Sequence, residues 1–189
     1  MEEERIKSAL EIAMERVSAM PELTPEDMAA QKEKQYGPIG EAMAGRYLKG
    51  LLNENELAAE LDKYSPDQRR IVRCALVSGL CRAMGLEGDL ESAGRALNGM
   101  LGISREKGSF IEKTAEEFRN LLREFEQEKR EKSADIEASA LRPLGISGTA
   151  VRCNPAENRH WREAMEKMRH SFEPRLAALR SALQYELGG

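Results

Sequence analysis

The stretch from Cys74 to Leu86 carries a single charged side chain, Arg82, in a chain in which 33% of the residues are charged. A helix that is apolar on nearly all sides is normally buried on nearly all sides. We therefore predict that residues 66–84 form the central helix of the fold, with the other elements packed around it.

Composition restricts those other elements to helices. Of the 189 residues, 41% are apolar but only 5% are aromatic. A β-sandwich needs β-branched and aromatic residues on its inner faces, whereas Ala, Leu, Met, Glu, Lys and Arg favour helices. The sequence therefore predicts an all-α multi-helix bundle. Because so many charges imply much exposed helix surface per buried residue, an elongated or oligomeric bundle is favoured.

Three apolar stripes at heptad-like spacing predict long helices over residues 3–20, 109–133 and 155–187. The stripe of the longest helix, 109–133, stops at Phe125, so its last turns are expected to project into solvent or meet a partner. In the last helix Pro174 removes one backbone hydrogen bond, but the stripe continues in phase. This predicts one kinked helix, with a hairpin of two helices as the alternative. The stripe residues are Ile6, Leu10, Ala13, Val17 and Met20 in the first helix, Ile111, Ala115, Phe118, Leu122 and Phe125 in the second, and Trp161, Met165, Met168, Phe172, Leu176, Leu179 and Leu183 in the third.

Prolines predict where several helices start. Thr24, Ser65 and Asn154 each precede a proline and have an acid or amide three residues on. This is the pattern of a capping box with proline at the first helical position. By contrast, Tyr36-Gly37-Pro38 predicts a break between a helix of residues 24–35 and another of 39–52, followed by a short helix of 54–63.

Two glycines predict helix ends. Gly85 and Gly102 each lie between apolar residues, as expected of a left-handed C-cap whose following side chain folds back onto the helix. A helix of roughly residues 90–101 is expected between them.

Only residues 146–153 read as extended. A lone strand leaves its backbone groups unpaired, so this segment is expected to run as a strap over the helices or to pair with the same segment of a second chain. The chain then divides into a helical bundle, residues 1–141, and a strap with a C-terminal helical arm, residues 142–189. A single domain is the alternative.

Charge and cysteine content restrict the kinds of partner and the cellular compartment that the sequence predicts. Residues 1–62 hold seven basic and fourteen acidic side chains, and residues 142–189 hold eight basic and five acidic ones. These parts can attract each other within or between chains, but the basic excess is too small for a nucleic-acid footprint. No apolar run is long enough to span a membrane, and the acidic start MEEERIKSAL is unlike a signal peptide. Three cysteines without framework spacing favour a reducing compartment, so we expect a cytoplasmic protein.

The first candidate site is a thiol. Cys153 follows Arg152 and is predicted to lie just outside a helix N-terminus, where a thiol pKa is lowered. His160 is seven residues on, about 10 Å along a helix, so local geometry forms no Cys–His dyad. The structural interpretation is a small apolar residue at the helix entrance. Cys74 and Cys81 are also about 10 Å apart, too far to share a zinc ion, and both are predicted to be core residues.

The second candidate is a metal site at Glu157, His160 and Glu163, which share one helical face. Glu-x-x-His is the ligand spacing of di-iron bundles, but such a site needs two of these motifs and the chain has one. A solvated, salt-bridged face is the structural interpretation, and we expect no cofactor.

The third candidate is an anion site at the predicted N-terminus of helix 109–133, formed by Lys107, Gly108 and Ser109. The order Lys-Gly-Ser is not that of a phosphate loop and no strand precedes it. Free N–H groups beside Lys107 still suit a weak anion. The structural interpretation is an N-cap at Ser109.

Since each candidate also has a structural interpretation, the sequence favours a non-catalytic interaction or assembly module that binds itself or another protein. A small-molecule or thiol-dependent enzyme using Arg152, Cys153 and His160 is the alternative, and a carboxylate/His metal-binding bundle is the second alternative.

Overall fold

A computed structural model describes residues 8, 10, 11, 14, 24–141 and 158–188, with only the backbone at 140 and 141. Six complete helices and no strand lie in this part of the chain, which confirms the predicted all-α bundle. They are α1 (Pro25–Leu48), α2 (Glu54–Asp62), α3 (Pro66–Cys81), α4 (Leu90–Ile103), α5 (Gly108–Leu141) and α6 (Arg159–Gly188), with a 3-10 turn at Arg105–Lys107.

Helix α3 is surrounded by the others. It packs against α1, α2, α4 and α6, and Val72, Leu76, Val77 and Leu80 are fully buried along it. It ends at Cys81, one turn before the predicted residue 84, and short turns lead from there to α4.

Small residues let α1 and α3 approach closely. Gly40 and Ala44 on α1 face Ala75 and Gly79 on α3, and each pair is four residues apart and therefore on one helix face. A Cβ at Gly40 would overlap the carbonyl oxygen of Val72, and one at Gly79 would lie 2.6 Å from the Ala44 Cβ. Because Gly40 meets Ala75 and Ala44 meets Gly79, the two helices run in the same direction.

The other contacts fix the directions of α4, α5 and α6. The link from Cys81 to Leu90 is short, and Arg73 in the middle of α3 donates to Ser104 at the end of α4 (2.7 Å), so α4 runs back along α3 and is antiparallel to it. Helices α5 and α6 are antiparallel to each other, because Phe125 packs edge-on against Phe172 at 5.4 Å. Farther along, Lys107 pairs with Glu186 at 2.9 Å. One core cluster joins residues of all six helices.

Helix α5 is longer than the predicted 109–133 at both ends, and markedly so at its C-terminal end. Beyond Phe125 the helix lacks an apolar stripe, but its side chains pair along the helix, as Lys129 does with Glu126 (3.2 Å) and Gln127 with Glu131 (3.0 Å). Such pairs each add a few tenths of a kcal/mol, about 0.2–0.5. The antiparallel register with α6 also places the start of α6 beside this end of α5.

The predicted break at Pro38 is wrong. Helix α1 is continuous from Pro25 to Leu48 with Pro38 inside it. Pro38 is exposed, so the carbonyl of Lys34 that lacks a donor faces water, and the tight contact at Gly40 holds the next turn in place. The single helix predicted across Pro174 is confirmed, and Pro174 is likewise exposed.

The predicted glycine caps are wrong at both positions. Among the described residues only Gly50 has a positive φ, 74°. Its N–H donates to the Tyr47 carbonyl and that of Leu51 to the Arg46 carbonyl, which are the two hydrogen bonds of a Schellman cap.

Gly102 serves a different purpose. It lies inside α4, and a Cβ there would come within 3.0 Å of the Glu54 Cβ. It is therefore small because α2 passes close by, and α4 continues to Ile103.

The predicted first helix is described only in part, at residues 8, 10, 11 and 14. Ser8 and Glu11 cap each other reciprocally, at 2.8 and 3.2 Å, and Leu10, Glu11 and Met14 are helical. This is the pattern of a capping box at a helix start, and the predicted start at residue 3 lies outside the described residues. Two of the three predicted cap positions, Thr24 and Ser65, are among the described residues. Each directly precedes a helix that begins with proline, as predicted.

The C-terminal helix starts later than predicted. It begins at Arg159, where the Asn158 side chain accepts from the N–H of His160 at 2.9 Å, and not at Pro155. The predicted cap at Asn154 and the extended segment 146–153 lie outside the described residues.

The α1–α3 contact yields a stability prediction. Gly40→Ala and Gly79→Ala are each expected to lower the free energy of unfolding by about 1–3 kcal/mol, the usual cost of overpacking. At Gly40 the obstructing atom is a backbone oxygen, which cannot move unless α3 moves. Urea unfolding followed by circular dichroism measures the change.

Gly45→Ala is the matched control, because Gly45 lies in the same helix with open space around it. Alanine there is expected to raise stability by about 0.5–1 kcal/mol through helix propensity alone. Equal midpoints for Gly40→Ala and Gly45→Ala would show that α1 and α3 are not in tight contact.

Candidate functional site

Two of the grooves on the described surface differ clearly in their lining. The larger, about 960 Å³, lies between the first half of α1 and α3. Apart from Met28 and Ile71, its lining is small, proline or charged. The other, about 820 Å³, lies between α4 and α5 and is lined by several large apolar side chains. We call the second one the α4–α5 groove.

The floor of the α4–α5 groove comes from one stripe on each helix. Helix α5 contributes residues at spacings of four, three and four, and α4 contributes a parallel row. Both rows are mostly buried at their base. Apart from Leu101, which is partly buried, no residue of the two rows is more than 8% exposed. The floor residues are Ala93, Leu97 and Leu101 on α4 and Ile111, Ala115, Phe118 and Leu122 on α5.

The rim of the groove is mainly basic. Arg119, Arg123 and Arg130 stand along α5 together with Glu112 and Glu126. The structure records no ion pair between these three arginines and any described residue, whereas Glu126 pairs with Lys129. Arg123 donates to the neighbouring Asn120. An apolar floor with a charged rim is the arrangement that receives the apolar face of an amphipathic helix.

The thiol candidate is only partly covered. Arg152 and Cys153 lie outside the described residues. His160 lies in the first turn of α6 with an exposed side chain, and its backbone N–H is used by the Asn158 cap. Whether these three residues meet therefore stays a prediction.

The metal candidate is also only partly covered, since Glu157 lies outside the described residues. His160 and Glu163 are exposed, and Glu163 accepts from Arg159 at 2.7 Å. In the described ranges no group of three or more His, Cys, Asp or Glu side chains is arranged to hold a metal ion.

The anion candidate is fully described. The Lys107 ammonium donates to Glu186 on α6 at 2.9 Å, and this carboxylate raises the pKa of Lys107. The Gly108 N–H donates to the Arg105 carbonyl. Ser109 lies inside α5 and does not form the N-cap proposed as its structural role. The cation at this helix start is therefore occupied by a carboxylate of the chain itself.

The two described cysteines differ, and the prediction that both are core residues is wrong for Cys74. Cys81 is buried and its Sγ lies 3.8 Å from the Arg180 carbonyl, whereas Cys74 is exposed. Both face α6, but α6 ends at Gly188 beside Cys74. Helix α6 therefore covers Cys81 and leaves Cys74 exposed at its end.

One hydrogen bond between a buried phenol and an exposed carboxylate was not predicted from the sequence. The Tyr47 hydroxyl donates to Glu54 at 3.0 Å, and Tyr47 is only 2% exposed. Burial, with the hydrogen bond to Glu54, raises the pKa of Tyr47 well above its ordinary value. The phenol therefore stays protonated and links α1 to α2 structurally.

Sequence reasoning also missed the α4–α5 groove, because it interpreted the heptad-like stripe of α5 as a helix–helix contact, within the chain or between chains, and not as the wall of a groove. A signal was present in α4. Ala96 and Met100 face the core, while Leu97 and Leu101 continue a second apolar row, so α4 is apolar over a wider arc than one partner helix covers.

The chain matches no protein-family model, and comparisons with curated proteins and with solved structures gave no match. Within the described residues, no helix is long and apolar enough to cross a membrane.

The cysteine environments yield a reactivity prediction. Cys74 is expected to be alkylated readily by iodoacetamide in the native protein and Cys81 only after unfolding. Burial raises the pKa of Cys81 to about 12, so its reactive thiolate is absent at neutral and mildly alkaline pH. Peptide mass mapping after timed alkylation distinguishes the sites.

Cys153 is mapped in the same experiment. Alkylation of Cys153 that outpaces Cys74 and persists below pH 7 would support the thiol-dependent enzyme. An ordinary rate, equal to that of Cys74, would remove the reason for that hypothesis.

Proposed function

We propose that the protein is a non-catalytic assembly module that associates with itself by binding an amphipathic helix of a second copy in the α4–α5 groove. The observation that carries this proposal is the groove itself, with about 820 Å³ between two rows of apolar side chains under a basic rim. Recognition of this kind reads apolar residues at spacings of three and four along the bound helix.

The floor has the features of a binding surface. Phe118 and Leu122 belong to the floor and are 2% and 8% exposed, whereas Leu90, which also lines the groove, is 65% exposed. Binding energy at protein interfaces is concentrated where a central apolar cluster is shielded from water by a polar rim. The arginines of the rim favour a partner with acidic flanks through charge complementarity.

Protein is a better partner than nucleic acid for this surface. Glu112 and Glu126 interrupt the basic residues of the rim, and they would repel a phosphate backbone. A nucleic-acid site needs a concentrated Lys/Arg face over the phosphates.

The chemistry of the described candidate groups also supports a non-catalytic role. Lys107 pairs with Glu186, Glu163 with Arg159, and the Tyr47 phenol with Glu54. We further propose a cytoplasmic location, which is supported by the free thiols of Cys74 and Cys81.

The proposal is tested by self-association. We expect light scattering between about 1 and 200 µM to show a mass above that of one chain, and Gly94→Glu to raise the dissociation constant at least tenfold. Gly94 is a helical glycine in the groove wall with open space around it, so the change adds a charge to the groove without a clash. Burying an unpaired charge at an interface costs about 2–5 kcal/mol.

Gly45→Glu is the matched control, because Gly45 is also helical and open but lies outside both grooves. We expect it to assemble as the unmodified protein does. A chain that stays monomeric at 200 µM, or a Gly94→Glu protein that assembles normally, would count against the proposed function.

A further inference from the structure

The start of the chain presents an uncovered apolar face. Leu10 and Met14 are helical and lie four residues apart, so they share one face, and they are 70% and 65% exposed. The Ser8–Glu11 capping box starts this helix. In the sequence Val17 continues the same face at the next turn. We call residues 1–22 the N-terminal arm.

The dimensions of the arm fit the α4–α5 groove. The floor row on α5 from Ile111 to Leu122 is about 16 Å long at 1.5 Å per residue, and the ten-residue interval from Leu10 to Met20 in the sequence corresponds to about 15 Å at the same rise. Both surfaces use spacings of three and four residues, so the side chains of one row can lie between those of the other.

The charges of the two surfaces are opposite in sign. The arm carries six acidic and three basic side chains, while the rim of the groove has three arginines against two glutamates. The rim arginines make no ion pair with any residue that the structure describes. Bringing the arm into the groove would give them carboxylate partners.

Leu10 and Met14 do not occupy the groove of their own chain, since they are 70% and 65% exposed. The arm joins α1 at its first turns, and every residue from 24 to 35 is exposed. Gly40 is the first buried residue of α1. The end of α1 that carries the arm therefore makes no contribution to the core of its own chain.

We propose that the N-terminal arm of each chain docks in the α4–α5 groove of a second copy, which makes a reciprocal, two-fold symmetric dimer. The inference rests on the proposed function and names the helix that the groove binds. An exchange of this kind uses the same contact twice and closes on itself, so it stops at two chains.

Mixing two full-length variants tests the exchange. Leu10→Glu/Met14→Glu disables the arm and leaves the groove intact, whereas Gly94→Glu disables the groove and leaves the arm intact. Light scattering should show that each variant alone is at least tenfold weaker in association than the unmodified protein. An equimolar mixture should form a heterodimer, because the intact arm of one chain fits the intact groove of the other.

Leu51→Glu is the control, because Leu51 is as exposed as Met14, at 65%, but belongs to neither surface. It should dimerise normally. Mass spectrometry of a mixture with one variant isotopically labelled identifies the heterodimer directly, and circular dichroism verifies that both variants are folded.

The outcomes separate the two proposals. If Gly94→Glu abolishes association while the arm variant still dimerises, the groove binds something else and the arm exchange is overturned. If the arm variant is monomeric but the mixture yields no heterodimer, reciprocal docking is overturned. Association unaffected by either variant contradicts both proposals.

Discussion

The close contact between α1 and α3 is the constraint on which the other packing depends. Gly40 and Ala44 face Ala75 and Gly79, and no larger side chain fits at the glycines without moving a helix backbone. The interface commits one face of α3 to α1 along two turns. It also holds α1 straight through Pro38, since the turn after the proline is fixed by packing and needs no help from the missing hydrogen bond.

The α4–α5 groove results from which helices pack against the remaining faces of α3. Helices α2, α4 and α6 occupy them, while α5 packs chiefly on α6 through contacts such as Phe125 with Phe172. Helix α5 therefore packs less extensively on α4 than on α6. Apolar residues that would lie between more tightly packed helices line an open groove instead. The groove is therefore open because α5 packs against α6 and not closely against α4.

The fold class and most of the helices could be predicted from periodicity and caps, because these depend on residues close in sequence. Residues 66–84 were predicted as a helix from the lack of charge, and the structure has Pro66–Cys81. The errors arise where distant packing decides. Pro38 and Pro174 are alike locally, and the apolar stripe was followed only through Pro174. Gly102 resembles a cap, but its smallness is required by Glu54 on another helix, whereas Gly50 supplies the left-handed cap.

The same distinction explains what could be predicted about sites. Cys74 and Cys81 share a helix face, and only the point at which α6 ends separates an exposed thiol from a buried one. The α4–α5 groove could not be found from sequence motifs, because such motifs consist of reactive or ligating residues and the groove floor is apolar. The sequence signal for the groove is that α4 has two rows of apolar residues, whereas one partner helix covers only one row. Leu10 and Met14 are likewise apolar residues that the described packing does not cover, since they are 70% and 65% exposed on one helix face. Neighbouring exposed apolar side chains of this kind are typical of surfaces that bind another protein.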